Sequence, residues 1–149
     1  MPHTVIRPAE PPDLDTLAKY DRHIRRGQLS SAIADGRVLL LETDGEFAGW
    51  LRWNLFWDSI PFLNLLFLLE PYRGLGLGAR LVADWESRMA ADGFPVVMTS
   101  TQADEDAQHF YRKQGYADCG CLLPCGQTAA EIFLQKQLKT DGKSAGSAK

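Results

Sequence analysis

Between Glu70 and Arg80 the chain reads Glu70-Pro71-Tyr72-Arg73-Gly74-Leu75-Gly76-Leu77-Gly78-Ala79-Arg80, with glycine at three alternate positions. The apolar run ahead of it, Phe62 to Leu69, is broken only by Asn64 and predicts a buried strand. Behind it, Leu81, Val82, Trp85 and Met89 recur at helical spacing. Strand, glycine loop and helix in that order form an anion cradle. Glycine lets the backbone turn tightly and approach a ligand, and the first amides of a helix point outward with favourable dipole polarity. The expected ligand is a phosphate or pyrophosphate.

The bulk numbers bound what such a cradle serves. At 149 residues, 45% hydrophobic and 23% charged, the chain is expected to form one domain over residues 1–139 with a substantial core. A net charge of −3, with no Lys/Arg run, argues against a nucleic-acid partner. Arg22, Arg25 and Arg26 read as charges on a solvated helix face. The N-terminus lacks a signal-peptide pattern, and the run Leu65 to Leu69 is too short to span a bilayer. No membrane partner is expected, and the protein is placed in the cytoplasm. Residues 140–149 are small and polar and predict a disordered tail.

Cys119, Cys121 and Cys125 are expected to be reduced packing residues. Cys119 and Cys121 would share a strand face, but their spacing is not a zinc-type CxxC pair. His3, His23 and His109 lie far from them in sequence, so no metal is assigned.

Along the chain, Thr4 to Arg7 predicts a strand and Pro11-Pro12-Asp13 a helix start with Asp13 as N-cap. A second helix covers about 24–34. Strands follow at 38–43 and 47–56, joined by the hairpin signal Asp44-Gly45. Asp58 to Pro61 turns the chain into the strand ahead of the glycine loop. After the loop's helix come a strand at 96–101, a helix carrying Ala107, Phe110 and Tyr111, and strands at 117–122 and 131–138. This order fits a mixed sheet covered by helices.

Three readings of the loop compete. A plain strand-to-helix turn needs fewer glycines. A dinucleotide fingerprint is met literally by Gly74-Leu75-Gly76-Leu77-Gly78-Ala79, yet the next strand ends in Ser100-Thr101-Gln102 without the acidic residue that would hold a ribose. Counted from Arg73, the loop is Arg73-x-x-Gly76-x-Gly78, headed by Tyr72-Arg73-Gly74. At this point the chain resembles the GNAT superfamily of N-acetyltransferases. Ala107-Gln108-His109-Phe110-Tyr111-Arg112-Lys113-Gln114-Gly115-Tyr116 is similar to that family's other common segment, and the resemblance covers about residues 4–138.

The resemblance implies an α+β fold of the GNAT acyl-CoA N-acyltransferase type, with a mixed, mostly antiparallel sheet of six to seven strands and four helices. It implies acetyl-CoA as donor, a small-molecule or protein amine as acceptor, and direct attack in a ternary complex; dimers are common in the family. Backbone amides from Leu75 to Ala79, including Gly76, Leu77 and Gly78, would bind the pyrophosphate behind Arg73 and Gly74. Backbone groups around Leu66, Leu68 and Leu69 would pair with the pantetheine arm, and the segment Thr99 to Gln102 would lie beside the thioester. Tyr111 matches the family's general acid, although its spacing also suits a core aromatic. Glu70 is the nearest carboxylate for a general base, with Glu42 and Asp58 as others; Asn64 could hold a water or satisfy a neighbour's backbone, and Arg52 hints at an acidic acceptor. The competing class is a non-catalytic acyl-CoA-binding regulatory module.

Overall fold

The computed structural model describes residues 2–139. Its strands are β1 (Thr4–Pro8), β2 (Val38–Thr43), β3 (Glu46–Phe56), β4 (Ile60–Leu68), β5 (Val96–Gln102), β6 (Ala117–Leu122) and β7 (Glu131–Gln137). Its helices are α1 (Leu14–Tyr20), α2 (Arg26–Ala34), α3 (Leu77–Ala91) and α4 (Ala107–Lys113). The strands hydrogen-bond in the order β1-β2-β3-β4-β5-β7-β6. Recorded pairings are antiparallel except β4 with β5, which run parallel with Phe62 opposite Met98 and Leu63 opposite Thr99. This is the mixed, mostly antiparallel sheet that the element order predicts. The expected tail, residues 140–149, lies outside the described residues.

Contacts gather into two compact units: one holds the chain up to Asn54 with Leu65–Trp85, the other Leu55–Asn64 with the chain from Glu86 onward. In the first, Val38 to Leu41 of β2 are all buried, which is why the strand reads as an unbroken apolar run. On one face Val38, Leu40 and Trp50 form a core with Ala9, Leu17, Leu29 and Ile33. On the other, Trp53 meets Trp85 of α3 with ring centroids 6.4 Å apart. An odd step along a strand puts Trp50 and Trp53 on opposite faces.

Arg52 lies on the face of Trp50, and the structure overturns the hint of an acidic acceptor there. It is 9% exposed, and its Nε donates to Asp21 Oδ2 at 2.7 Å while the Trp50 indole donates to the same oxygen at 3.1 Å. A guanidinium in an apolar core needs its carboxylate beside it, so Arg52 is engaged. Asp13 also departs from expectation. It stands at the N-cap position of α1 but makes no side-chain cap bond there; its carboxylate accepts from the Glu10 amide at 2.7 Å and from Arg7, closing a short 3-10 turn over Pro11–Asp13.

In the second unit, β6 is the last strand of the sheet and all its residues are exposed. Cys119, Cys121 and Cys125 are accordingly exposed, not packed as expected. Among the described residues no group of His, Cys, Asp and Glu is arranged to hold a metal ion. The far end of α3 is tied down by Glu86, which accepts from Tyr116 Oη at 2.9 Å and from Lys136 Nζ at 2.8 Å. Lys136 also donates to the Gln114 carbonyl at 2.8 Å. These bonds fix the C-terminal end of α4, which carries Tyr111.

Candidate active site

The loop belongs to the first unit. A 3-10 turn over Glu70–Tyr72 leaves β4, Arg73 is extended, and Gly74 and Gly76 follow at φ of 75° and 78°. L side chains disfavour that left-handed region, which explains the glycines. A Cβ at either position would meet nothing within 4 Å. The protein does not fill the space above these residues, so a ligand can reach the backbone there.

Apolar spacing marks the helix from Leu81, but α3 begins at Leu77. Leu77, Gly78 and Ala79 are its first turn, and Arg80 N–H makes the first i to i−4 bond, to the Gly76 carbonyl at 3.2 Å. The amides ahead of Arg80 therefore have no carbonyl one turn back. They stand at the positive end of a 15-residue helix, where an anion is favoured.

Arg73 turns back onto β4, its Nε donating to the Leu68 carbonyl at 2.8 Å and its guanidinium lying 5.0 Å from the Phe67 ring centre. Leu69 N–H donates to the Ala48 carbonyl at 2.8 Å, and the Leu69 carbonyl accepts from Tyr72 N–H at 2.9 Å. Both backbone groups of Leu69 and one lone pair of Leu68 are thus used within the protein, which narrows what this strand end offers a ligand. Leu66 is half-buried, whereas Glu70 and Leu75 are exposed. Of the other carboxylates, Glu42 is paired with Arg7 at 2.6 Å and Asp58 sits at the β3–β4 turn with φ of 58°.

Tyr111 belongs to the second unit. It faces inward from α4, 5% exposed, with its ring edge-on to Phe110 and Tyr116 at 5.1 and 5.5 Å. Burial pushes its phenol, which lies beside Thr99, up to about 12. Thr99 in turn donates to the Leu63 carbonyl at 3.0 Å, where β4 and β5 pair. Two residues on, the Thr101 hydroxyl is buried with no hydrogen-bond partner. The alternation of a strand sends Ser100 and Gln102 to the opposite face. There Ser100 Oγ donates to Glu131 Oε1 at 3.0 Å, and Gln102 lies opposite Glu131 in the β5–β7 register.

The sequence marks the segment Thr99 to Gln102 but does not single out Glu131. Alternation from Thr99 assigns Ser100 its face, but only the pairing of β5 with β7 brings Glu131 to it. Among the described residues no helix is long and apolar enough to cross a membrane.

Residues 5–116 match the family described as Acetyltransferase (GNAT) family. The chain is 29% identical over 129 residues to an IAA acetyltransferase of Azospirillum brasilense, covering 85% of this chain and 74% of that protein. Among solved structures it superposes on a GNAT-family acetyltransferase of Bacillus cereus with a TM-score of 0.75 at 21% identity, covering 92% of this chain and 99% of that one. The ribosomal-protein-S18-alanine N-acetyltransferase of Escherichia coli gives 0.77 at 14% identity, covering 95% and 97%. At these identities the two structures speak for the fold, and the family match spans the loop and the Tyr111 helix alike. The chain is an acetyltransferase and belongs to the GNAT family.

Proposed function

We propose that this enzyme transfers the acetyl group of acetyl-CoA, the donor GNAT enzymes generally use, directly to a primary amine in a ternary complex. The observation that supports it most is the first turn of α3, whose amides lead out beside two glycines with open space above them. The backbone from Leu75 through Gly76, Leu77, Gly78 and Ala79 holds the pyrophosphate without a side-chain cation. Arg73 and Gly74 shape the entry to it. Backbone groups of β4 at Leu66, Leu68 and Leu69 receive the pantetheine arm, with the groups already bonded inside the protein contributing least. Gln102 and its neighbours on β5 lie beside the thioester. When bound, the donor supplies an activated acetyl carbonyl.

Tyr111 is the proposed general acid for the departing sulfur. With its phenol at about 12, it stays protonated throughout the neutral range and is always ready to donate. Full transfer to a thiolate of ordinary pKa, about 8.5, runs uphill by about 5 kcal/mol. Its contribution therefore begins as a hydrogen bond that strengthens as charge builds on the sulfur, and transfer is completed as a proton from the acceptor reaches the phenol oxygen. Glu70, exposed on the turn ahead of the loop, is a proposed exit for the acceptor's proton. Direct attack is favoured over an acyl-enzyme because partial desolvation and the charge of Asp118 push the Cys119 thiol up, away from a nucleophilic thiolate.

Thiol release from acetyl-CoA across a panel of amines tests this reading. Tyr111→Phe is expected to lower kcat about 100-fold while leaving acetyl-CoA affinity within threefold. Wild-type turnover should show no loss from phenol ionisation below about pH 11, since the acid form persists until pH approaches 12. Equal losses in turnover and affinity would reduce Tyr111 to a binding residue. Cofactor binding without thiol release from any amine would favour a regulatory module.

A further inference from the structure

An amine acceptor arrives largely as an ammonium ion and must shed a proton before its lone pair can attack. Tyr111 accounts for the proton gained by sulfur, and Glu70, exposed on its turn, offers the acceptor's proton a way out to solvent without being the group that first takes it. Within the second unit, β5 offers two chemistries on its two faces. Thr99 lies beside Tyr111 on one, and Ser100 donates to Glu131 on the other at 3.0 Å. A thioester at this segment can be approached by the acid from one face of β5 and by the carboxylate from the other.

Glu131 is half-buried and, among the described residues, forms no ion pair. Four other buried or half-buried carboxylates are paired with cations: Asp13 and Glu42 with Arg7, Asp21 with Arg52, Glu86 with Lys136. A half-buried carboxylate held by a hydroxyl and not neutralised by a cation is set up to receive one. The same face carries an aromatic row. Phe133 lies opposite Ser100 in register, its ring meets Phe62 at 6.1 Å, and Phe62 stacks on Phe56 at 5.8 Å. All three rings are half-buried.

We infer that Glu131 receives the acceptor's ammonium and takes its first proton, that Phe133 and Phe62 hold the acceptor's body, and that the preferred acceptors are arylalkyl primary amines. This rests on the transfer reading given above. The freed nitrogen lone pair bonds to the acetyl carbon and the carbon–sulfur bond breaks. The sulfur leaves with its electron pair and is protonated from Tyr111. The nitrogen loses two protons in all: one goes to Glu131 and on to solvent, and the other returns through water to the Tyr111 oxygen.

The test uses the full chain with phenethylamine and butylamine as acceptors. Wild type is expected to use phenethylamine with kcat/KM at least tenfold above butylamine. Glu131→Gln keeps the side-chain volume and an oxygen for the Ser100 hydroxyl. It should lower kcat/KM for phenethylamine about 100-fold, with thermal midpoint and acetyl-CoA affinity unchanged. Phe133→Leu should remove most of the preference between the two amines while Glu131 still supports turnover. Glu131→Gln activity within threefold of wild type overturns the role of Glu131 and leaves the transfer reading intact. Equal or poorer use of phenethylamine overturns the acceptor class. Failure of wild type to release thiol with any amine overturns both the inference and the transfer reading.

Discussion

Asp21, 3% exposed at the C-terminal end of α1, accepts hydrogen bonds from Arg52 and from the Trp50 indole. Burial by itself pushes its carboxyl up. Arg52, helped by Trp50 and the His23 amide, outweighs that and holds it below the usual carboxylate range. A depressed carboxyl contributes stability that is present above its unfolded value, about 3.9, and is lost as pH falls through the folded value. Asp21→Asn is expected to cost about 3–5 kcal/mol at neutral pH, because it leaves Arg52 buried without a counter-ion. It should also flatten the loss of stability below about pH 4. Urea melts at pH 7 and pH 3 check both, and a cost under about 1 kcal/mol at pH 7 would contradict a buried pair. Nothing near Arg52 in sequence distinguishes it from a solvated arginine, since its partner lies 31 residues away.

At the scale of elements, the helix behind the glycine loop shows where periodicity stops informing. Leu81, Val82, Trp85 and Met89 mark its buried face, but the first turn, Leu77 to Ala79, packs only in part and carries none of that pattern. The turn is defined by hydrogen bonding, and its lack of apolar spacing leaves its amides free for an anion. Gly76→Leu should weaken acetyl-CoA binding at least 100-fold, since a side chain would enter the open space above the loop. The forced φ of 78° should cost about 1–2 kcal/mol in stability. Titration calorimetry with a parallel melt separates the two effects, and unchanged affinity would contradict the cradle. The β3–β4 turn marks a second limit. Pro61 within an apolar run argues for a turn, yet it sits second in β4, and Trp57 and Asp58 make the bend with positive φ.

For the whole molecule, the donor is expected to stabilise the fold by mass action. At 100 times its dissociation constant, acetyl-CoA should add about 2.7 kcal/mol, raising the thermal midpoint by roughly 5–10 °C. A midpoint that does not move with acetyl-CoA concentration would remove both the enzyme reading and the regulatory alternative. By itself, the sequence determined the order of strands and helices, the glycine loop and the helix bearing Tyr111, because these follow from local periodicity and turn chemistry. Only the tertiary structure decided which charges neutralise one another and which carboxylate stands beside β5. Glu131 meets Ser100 across 31 residues of chain, and that register is set by the packing of the sheet.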